Sequence, residues 1–439
     1  MIRYKLKKTK DILTSRSGLV VLREVIQRIK LAKQLDHHLP QTGSNRGYAP
    51  SIFGLSLILI LNEGHRSLDD ISHLAKDKVL RDLFGLKNVP KADSLGKWLK
   101  RVGFVGVKGL TEINRKIIEV SLEGKKEVTL DADATLALSR NKNAKWTYQN
   151  CTGYMPIMGF IAETGQAVAS EFRHGNVAPA ANNLEFIQQC EDNLPLGVLV
   201  KKLRIDAAGY QHEILDYCKE TNKKFTIRAV MSRAIKSIIP KENDGAWEPM
   251  ISRDGTEIEG ESTCKVVHSM QNSKHAFTLI IQRKKVKGQR SFEISSEDQE
   301  TAELEGYIYR AIATNHDNWD NWDNSKIIHW YNQRGEHAEN RIKEIKSDFA
   351  ADRVPCQDFA ANALFLSFST LAYNLFALIR QMLPPEMRTY RAKKVRSEVY
   401  AIAGKMVKHA RSLCLALAEE HYELINQILN LMRQHLPYF

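Results

Sequence analysis

Three acidic residues carry the first chemical signal in this chain. Asp131 and Asp133 lie two apart in Lys126-Glu-Val-Thr-Leu-Asp-Ala-Asp-Ala-Thr135, which alternates with the period of a strand, so both side chains share one face of a sheet. Asp206 ends a second apolar run, Leu199-Val-Lys-Lys-Leu-Arg-Ile-Asp206. Aspartate is a poor strand former, and an unpaired buried carboxylate is costly. A bound divalent cation is the simplest way to hold such carboxylates together. Two Mg2+ ions roughly 4 Å apart, held by Asp and Glu, are the usual device for phosphodiester cleavage. Strand-end aspartates that are merely solvated or salt-bridged are the plainer alternative.

A further ligand must come from elsewhere in the chain. Trp330-Tyr-Asn-Gln-Arg-Gly-Glu-His-Ala-Glu-Asn-Arg-Ile-Lys-Glu-Ile-Lys346 reads as helical. Glu339 and Lys346 are almost two turns apart and share a face. Ala338, Ile342, Ile345 and Phe349 form the adjacent apolar stripe, so Glu339 borders the buried side, where it could meet the aspartates. Tyr331, Arg334 and Lys346 are suited to gripping phosphates. The alternative is an exposed helix with Glu339 paired to Lys343. His337 has no visible partner and is expected at the surface. Trp319, Trp322 and Trp330 precede the motif; they could stack on a base, but packing is their expected use.

The elements that must position these residues change along the chain. Residues 1–125 read as helical: Leu19 to Ile29 after a cap at Ser17, then Pro50 to Asn62. Short pieces follow from Ser67, from Asp77 and from Ser94, the first with a Ser67–Asp70 capping box and Ser94 as another cap. In the last piece Leu95, Trp98, Leu99 and Val102 share one face, while Lys97, Lys100 and Arg101 point away. Capped short helices with a basic third member fit a helix-turn-helix DNA reader. A helix from Lys108 to Leu122 closes the region. Residues 126–221 then alternate strands and helices as a mixed α/β core. Residues 222–305 read as a β-rich insertion, 306–350 as the second part of the core, and 351–439 as helical.

Composition bounds the function. The chain has 439 residues, 43% hydrophobic and 26% charged, which is ordinary for a globular protein. No run approaches ~20 apolar residues and no apolar segment follows the basic N-terminus, so the expectation is a cytoplasmic protein with no membrane span and no secretory signal. The six cysteines have no zinc-knuckle spacing and are expected as small buried hydrophobes. The net charge is +13, of which residues 1–125 carry +12 and residues 380–439 carry +5; the middle is therefore about −4 by difference. A basic end beside a slightly acidic middle fits a polyanion-binding module joined to something else.

Asp133-Ala-Thr135 on a strand, Arg204-Ile-Asp206-Ala-Ala-Gly-Tyr210 ending another, and Tyr331…Arg334…Glu339…Lys346 on a helix together resemble the DDE transposases of bacterial insertion sequences. The resemblance is to the branch with a Tyr-Arg-Glu-Lys signature and a β insertion between the second Asp and the Glu. It implies a ribonuclease-H-like mixed-sheet core with an inserted β-rich subdomain, flanked by a helical DNA-binding region and a helical C-terminal region. It implies Asp133, Asp206 and Glu339 as catalytic metal ligands, with Asp131 as the alternate first Asp. Asp133 is preferred because Thr135 follows it by two, as in the family. Tyr331, Arg334 and Lys346 would contact transposon-end DNA. Two Mg2+ ions, replaceable by Mn2+, would serve strand cleavage and strand transfer. The implied partners are double-stranded DNA, at element ends and target, and a second copy of the chain, at the nucleoid. A nuclease of the same fold that does not join strands, and a non-catalytic DNA-binding regulator, are the rival readings.

One departure from the family pattern matters. The signature usually has three residues between Arg and Glu; here Gly335-Glu-His-Ala338 makes four. On a continuous α-helix that turns Glu339 from ~40° to ~140° away from Arg334. Either the helix starts or bulges near Gly335, or Glu336 competes as ligand.

Overall fold

The computed structural model describes residues 5–41, 43, 47–240, 245–286, 301–304, 306–316, 322–409, 412–436 and 438. Trp319 and the side chains of Glu336 and His337 lie outside the described residues.

The Asp133 strand, Glu127–Ala134, is buried along most of its length because it is central in a mixed sheet. Leu199–Ile205 runs parallel on one side of it, and Lys224–Arg228 runs parallel beyond that. On the other side Ile157–Ile161 and Ala167–Glu171 form an antiparallel hairpin turned at Thr164-Gly165, where Gly165 has φ +81°. The register sets Asp131 opposite Arg204, Ala132 opposite Ile205, and Asp133 opposite Met158. Asp133 and Asp206 therefore leave the sheet at the same edge, at the carboxyl ends of adjacent parallel strands. Helices Asn183–Asp192 and His212–Glu220 carry apolar residues into the core against this sheet.

The strands after residue 222 do not form a sheet of their own. Tyr307–Thr314 pairs antiparallel with Lys224–Arg228, and Phe277–Lys285, Glu257–His268 and Glu248–Ile251 add on outward. The result, among the described residues, is one ten-stranded sheet. The reason is edge chemistry: Lys224–Arg228 would otherwise present an unpaired edge, and Tyr307–Thr314 satisfies it.

The helical ends also depart from expectation. The N-terminal helices and the helix Phe359–Gln381 share a single apolar core. That helix is long and apolar enough to cross a membrane, but it lies buried within the fold. The expected helices from Ser94 and Lys108 run on from one another within Ala92–Ser121, divided at Gly103, whose angles (φ +45°, ψ −134°) are not helical. Gly109 lets this helix approach closely, since a Cβ there would stand 2.2 Å from the His38 carbonyl oxygen. The Ser67–Asp70 capping box forms, and Asp77 caps the next helix through Leu80 N–H. Ser94 and Ser17 do not cap; the helix begins after Lys91, and Ser17 is buried in a 3-10 turn. Neither end is wholly helical. Gly404–His409 and Ser412–Leu417 form a hairpin, and Ile12–Thr14 from the other end of the chain pairs with it. Cys190, Cys218 and Cys264 are buried as expected, whereas Cys414 is exposed.

Candidate active site

The signature motif spans three helical pieces. Asn324–Arg334 is an α-helix capped by Asp323, Gly335–Glu339 is a π-helical turn, and Asn340–Asp348 resumes the α-helix. A π turn bonds residue i to i+5, so it returns residue i+5 to the side of residue i. The extra residue is absorbed there. Arg334 donates from Nη2 to Glu339 Oε1 (3.3 Å) and from Nη1 to Asp133 Oδ2 (3.1 Å). One guanidinium thus joins a carboxylate of the sheet to a carboxylate of the helix.

Four cationic contacts pin this helix to the sheet. Arg204 donates to the Trp330 carbonyl (2.9 Å), Arg334 reaches Asp133, and Lys346 donates to Thr135 Oγ1 (2.9 Å). Arg341 donates to the carbonyls of Ile161 and Ala162 at 3.0 and 2.8 Å. Asp206 accepts from Ala208 N–H (3.1 Å) as the cap of a short 3-10 turn, and it lines the same small cavity as Asp133.

The electrostatics are those of an over-filled acidic site. Burial pushes the Asp133 carboxyl well above the usual aspartate range, and repulsion from Asp206 and Glu339 pushes it further, against the pull of Arg334. Burial also raises Asp206, with Arg334 and the Ala208 N–H opposing and Glu339 adding to the rise. Burial opposes the charge on Arg334, yet Tyr331, Asp133, Asp206 and Glu339 together hold it protonated more firmly than usual. Lys346 is shifted down by burial, with Asp352 and Asp133 opposing. Three carboxylates therefore share one guanidinium. A donor set made only of carboxylate oxygens fits a hard divalent cation such as Mg2+ or Mn2+, and bound cations would relieve the crowding that raises Asp133 and Asp206.

The structure sorts the residues anticipated from sequence. Arg334 touches both Asp133 and Glu339, Asp206 lines the same small cavity as Asp133, and Lys346 reaches Thr135 just past the end of the Asp133 strand. Asp131 corrects the sequence reading. It is fully buried, and both its oxygens accept from Arg204, from Nε at 2.7 Å and from Nη2 at 2.8 Å. Its charge is already satisfied, so it has nothing to offer a cation. Arg204 was the residue sequence reasoning undervalued; an arginine inside an apolar strand was the available signal. Tyr331 and Arg334 are buried, which leaves them little surface for phosphate contact. Trp322 and Trp330 pack edge to face, and His316 stacks on Trp322 at 4.5 Å, as the packing reading expected. Lys97, Lys100 and Arg101 are exposed, Lys97 paired with Asp93 at 2.7 Å, far along the chain from the acidic cluster. Lys97 and Lys100 line a separate cleft of about 820 Å3 between the long helix, Ser139 and residues 352–358.

Comparison with known proteins gives three results. No curated protein matches this sequence. Among solved structures, the cryo-EM structure of a piggyBac transposase synaptic complex with hairpin DNA is similar at 9% identity and a TM-score of 0.46, over 89% of this chain and 82% of that one. The family profile described as transposase DDE domain group 1 matches residues 5–436, nearly the whole sequence, and the chain belongs to that family.

Proposed function

We propose that this protein is a DNA transposase that cuts a strand at the end of its element and joins the freed 3′-OH to target DNA, with Asp133, Asp206 and Glu339 as the catalytic carboxylates. The sheet order supports a ribonuclease-H-like core: an antiparallel hairpin, then the Asp133 strand, then two parallel strands, with both aspartates at one edge. The observation that carries the reading is the π turn, which brings Glu339 onto the Arg334–Asp133 contact despite the extra residue in the motif.

Two divalent cations held by Asp133, Asp206 and Glu339 would polarise the scissile phosphate and acidify the attacking water. The chain's own residues set the stage. Arg334 holds Asp133 and Glu339 at a fixed separation. Lys346, moored on Thr135 beside Asp133, presents a positive charge toward a phosphate entering the site. Tyr331 supports Arg334, whose guanidinium lies 5.8 Å from its ring centroid. Lys97, Lys100 and Arg101 supply non-specific backbone contacts to double-stranded DNA. A dimer would pair the two ends.

The test is strand nicking of element-end DNA with Mg2+. Asp206→Asn and Glu339→Gln should each lose cleavage by at least roughly a hundredfold while binding DNA normally. Glu336→Gln should cut like the parent. Cleavage that survives Glu339→Gln but not Glu336→Gln would transfer the ligand role to Glu336.

A further inference from the structure

Four residues after Asp133 the chain leaves the main sheet and builds a second, smaller one. Ala137–Leu138, Thr152–Tyr154 and Lys145–Trp146 pair in that order. The surface of this small sheet is aromatic and basic. Leu138, Trp146 and Tyr148 are 66%, 61% and 59% exposed. Arg140, Lys142 and Lys145 are exposed beside them. From Ala134 through Ala162 there is no Asp or Glu, so nothing acidic in the segment offsets the three cations. The neighbouring cleft differs: its Arg66, Lys97, Lys100 and Arg353 face Asp69, Asp93, Asp352 and Asp358, and the charges balance. The unbalanced positive charge belongs to the small sheet.

The sheet is also held rigid. Asn141 and Asn143 donate to the carbonyls of Cys356 and Gln357 at 3.3 and 2.6 Å, and Tyr154 donates to Asn141 at 2.8 Å. Thr147, between the two exposed aromatics in sequence, is buried. Exposed aromatic side chains on an anchored frame lose little entropy when something stacks on them. Chain geometry limits their distance from the catalytic edge. Leu138 is five residues from Asp133, at most ~18 Å along an extended chain. Lys145 is two strand spacings farther, another ~10 Å.

We propose that this small sheet is a platform on which unpaired nucleotides of a DNA strand stack, through Trp146 and Tyr148, with Arg140, Lys142 and Lys145 holding the adjoining phosphates. The inference rests on the transposase reading and deepens it by assigning where a separated strand runs beside the cut. Unpaired bases are the occupant because a duplex offers phosphates to the lysines but no ring faces to the aromatics. A second copy of the chain is disfavoured, since like faces would set three cations against three.

The experiment measures binding of the full chain, in EDTA so that nothing is cut, to a labelled duplex bearing a single-stranded tail and to the same duplex blunt. Sequence-tolerant stacking needs no cognate element end. The parent should prefer the tailed DNA. Replacing both rings (Trp146→Ala with Tyr148→Ala) should weaken tailed-DNA binding about tenfold or more and leave blunt binding unchanged. Replacing both with Phe should keep the preference, and the melting temperatures should match. No tail preference in the parent, equal loss on both DNAs, or a changed oligomeric state with unchanged DNA binding would each overturn the proposal. A parent that shows the tail preference yet cuts no element-end DNA with Mg2+ leaves the platform standing and removes only the transposase reading.

Discussion

Asp131 and Asp133 occupy the same face of one strand, two residues apart, yet their environments differ in kind. Arg204 takes both oxygens of Asp131, and the pair is sealed from water at 0% and 1% exposure. Arg204 then spends its remaining nitrogen on the Trp330 carbonyl, so the ion pair also positions the helix that carries Tyr331 and Arg334. Asp133 receives only one arm of a shared guanidinium and is crowded by Asp206. Removing one partner of a buried pair strands the other charge, at a cost of ~3–5 kcal/mol. Asp131→Ala should therefore lower unfolding free energy by about that much in urea titrations. Replacing both members by apolar residues of similar volume (Asp131→Leu with Arg204→Met) should recover most of it. A single variant as stable as the parent would mean the pair is dispensable. Sequence spacing placed both aspartates on the right strand and the right face. It could not separate them, because the difference lies in register with a strand 73 residues away.

At the scale of elements, the motif's irregular spacing and its π turn are one fact. Four residues between Arg334 and Glu339 would set them on different sides of an α-helix, and the i→i+5 turn from Gly335 to Glu339 brings them back. Deleting His337 leaves three intervening residues, the spacing a plain α-helix needs. That variant should keep Glu339 beside Arg334 and retain nicking within about tenfold of the parent. Inserting one alanine after His337 should carry Glu339 off the site and abolish nicking. Loss of activity in both, with both still folded by circular dichroism, would show that the π turn does more than correct phase. The bulge was readable because it broke a periodic rule. The hairpin Gly404–Leu417 was not: its strand Gly404–His409 is completed by Ile12–Thr14, and a pairing across nearly the whole chain leaves no local signal. The sheet extension was hidden likewise: strands near 263–267, 277–282 and 307–314 are legible singly, but not the added strand Glu248–Ile251 or the edge they all join.

For the whole molecule, the seam that closes the two chain ends gathers charge as well as apolar surface. Arg28 donates to the Leu436 carbonyl at 2.6 Å, and Arg396 donates to the Asn62 carbonyl at 2.6 Å and pairs with Asp348. Glu63 sits in this seam with its side chain 4% exposed, in an ion pair with Arg16 at 2.8 Å. Burial raises its carboxyl from 4.5 to about 7; Arg16 and Arg396 oppose the rise and Asp77 adds to it. The sign follows from proton counts. Between those two values the folded protein keeps a proton on Glu63 that the unfolded chain releases, so stability falls as pH rises through this window. A rise of that size corresponds to about 3 kcal/mol. Glu63→Gln has no such proton to lose. Unfolding in urea at pH 4.5 and at pH 8 should show the parent losing about 3 kcal/mol more than the variant over that interval. Asp133 and Asp206 titrate in both proteins and cancel from the difference. Parallel pH profiles for parent and variant would mean that Glu63 stays ionised in the fold, with Arg16 outweighing burial at the seam.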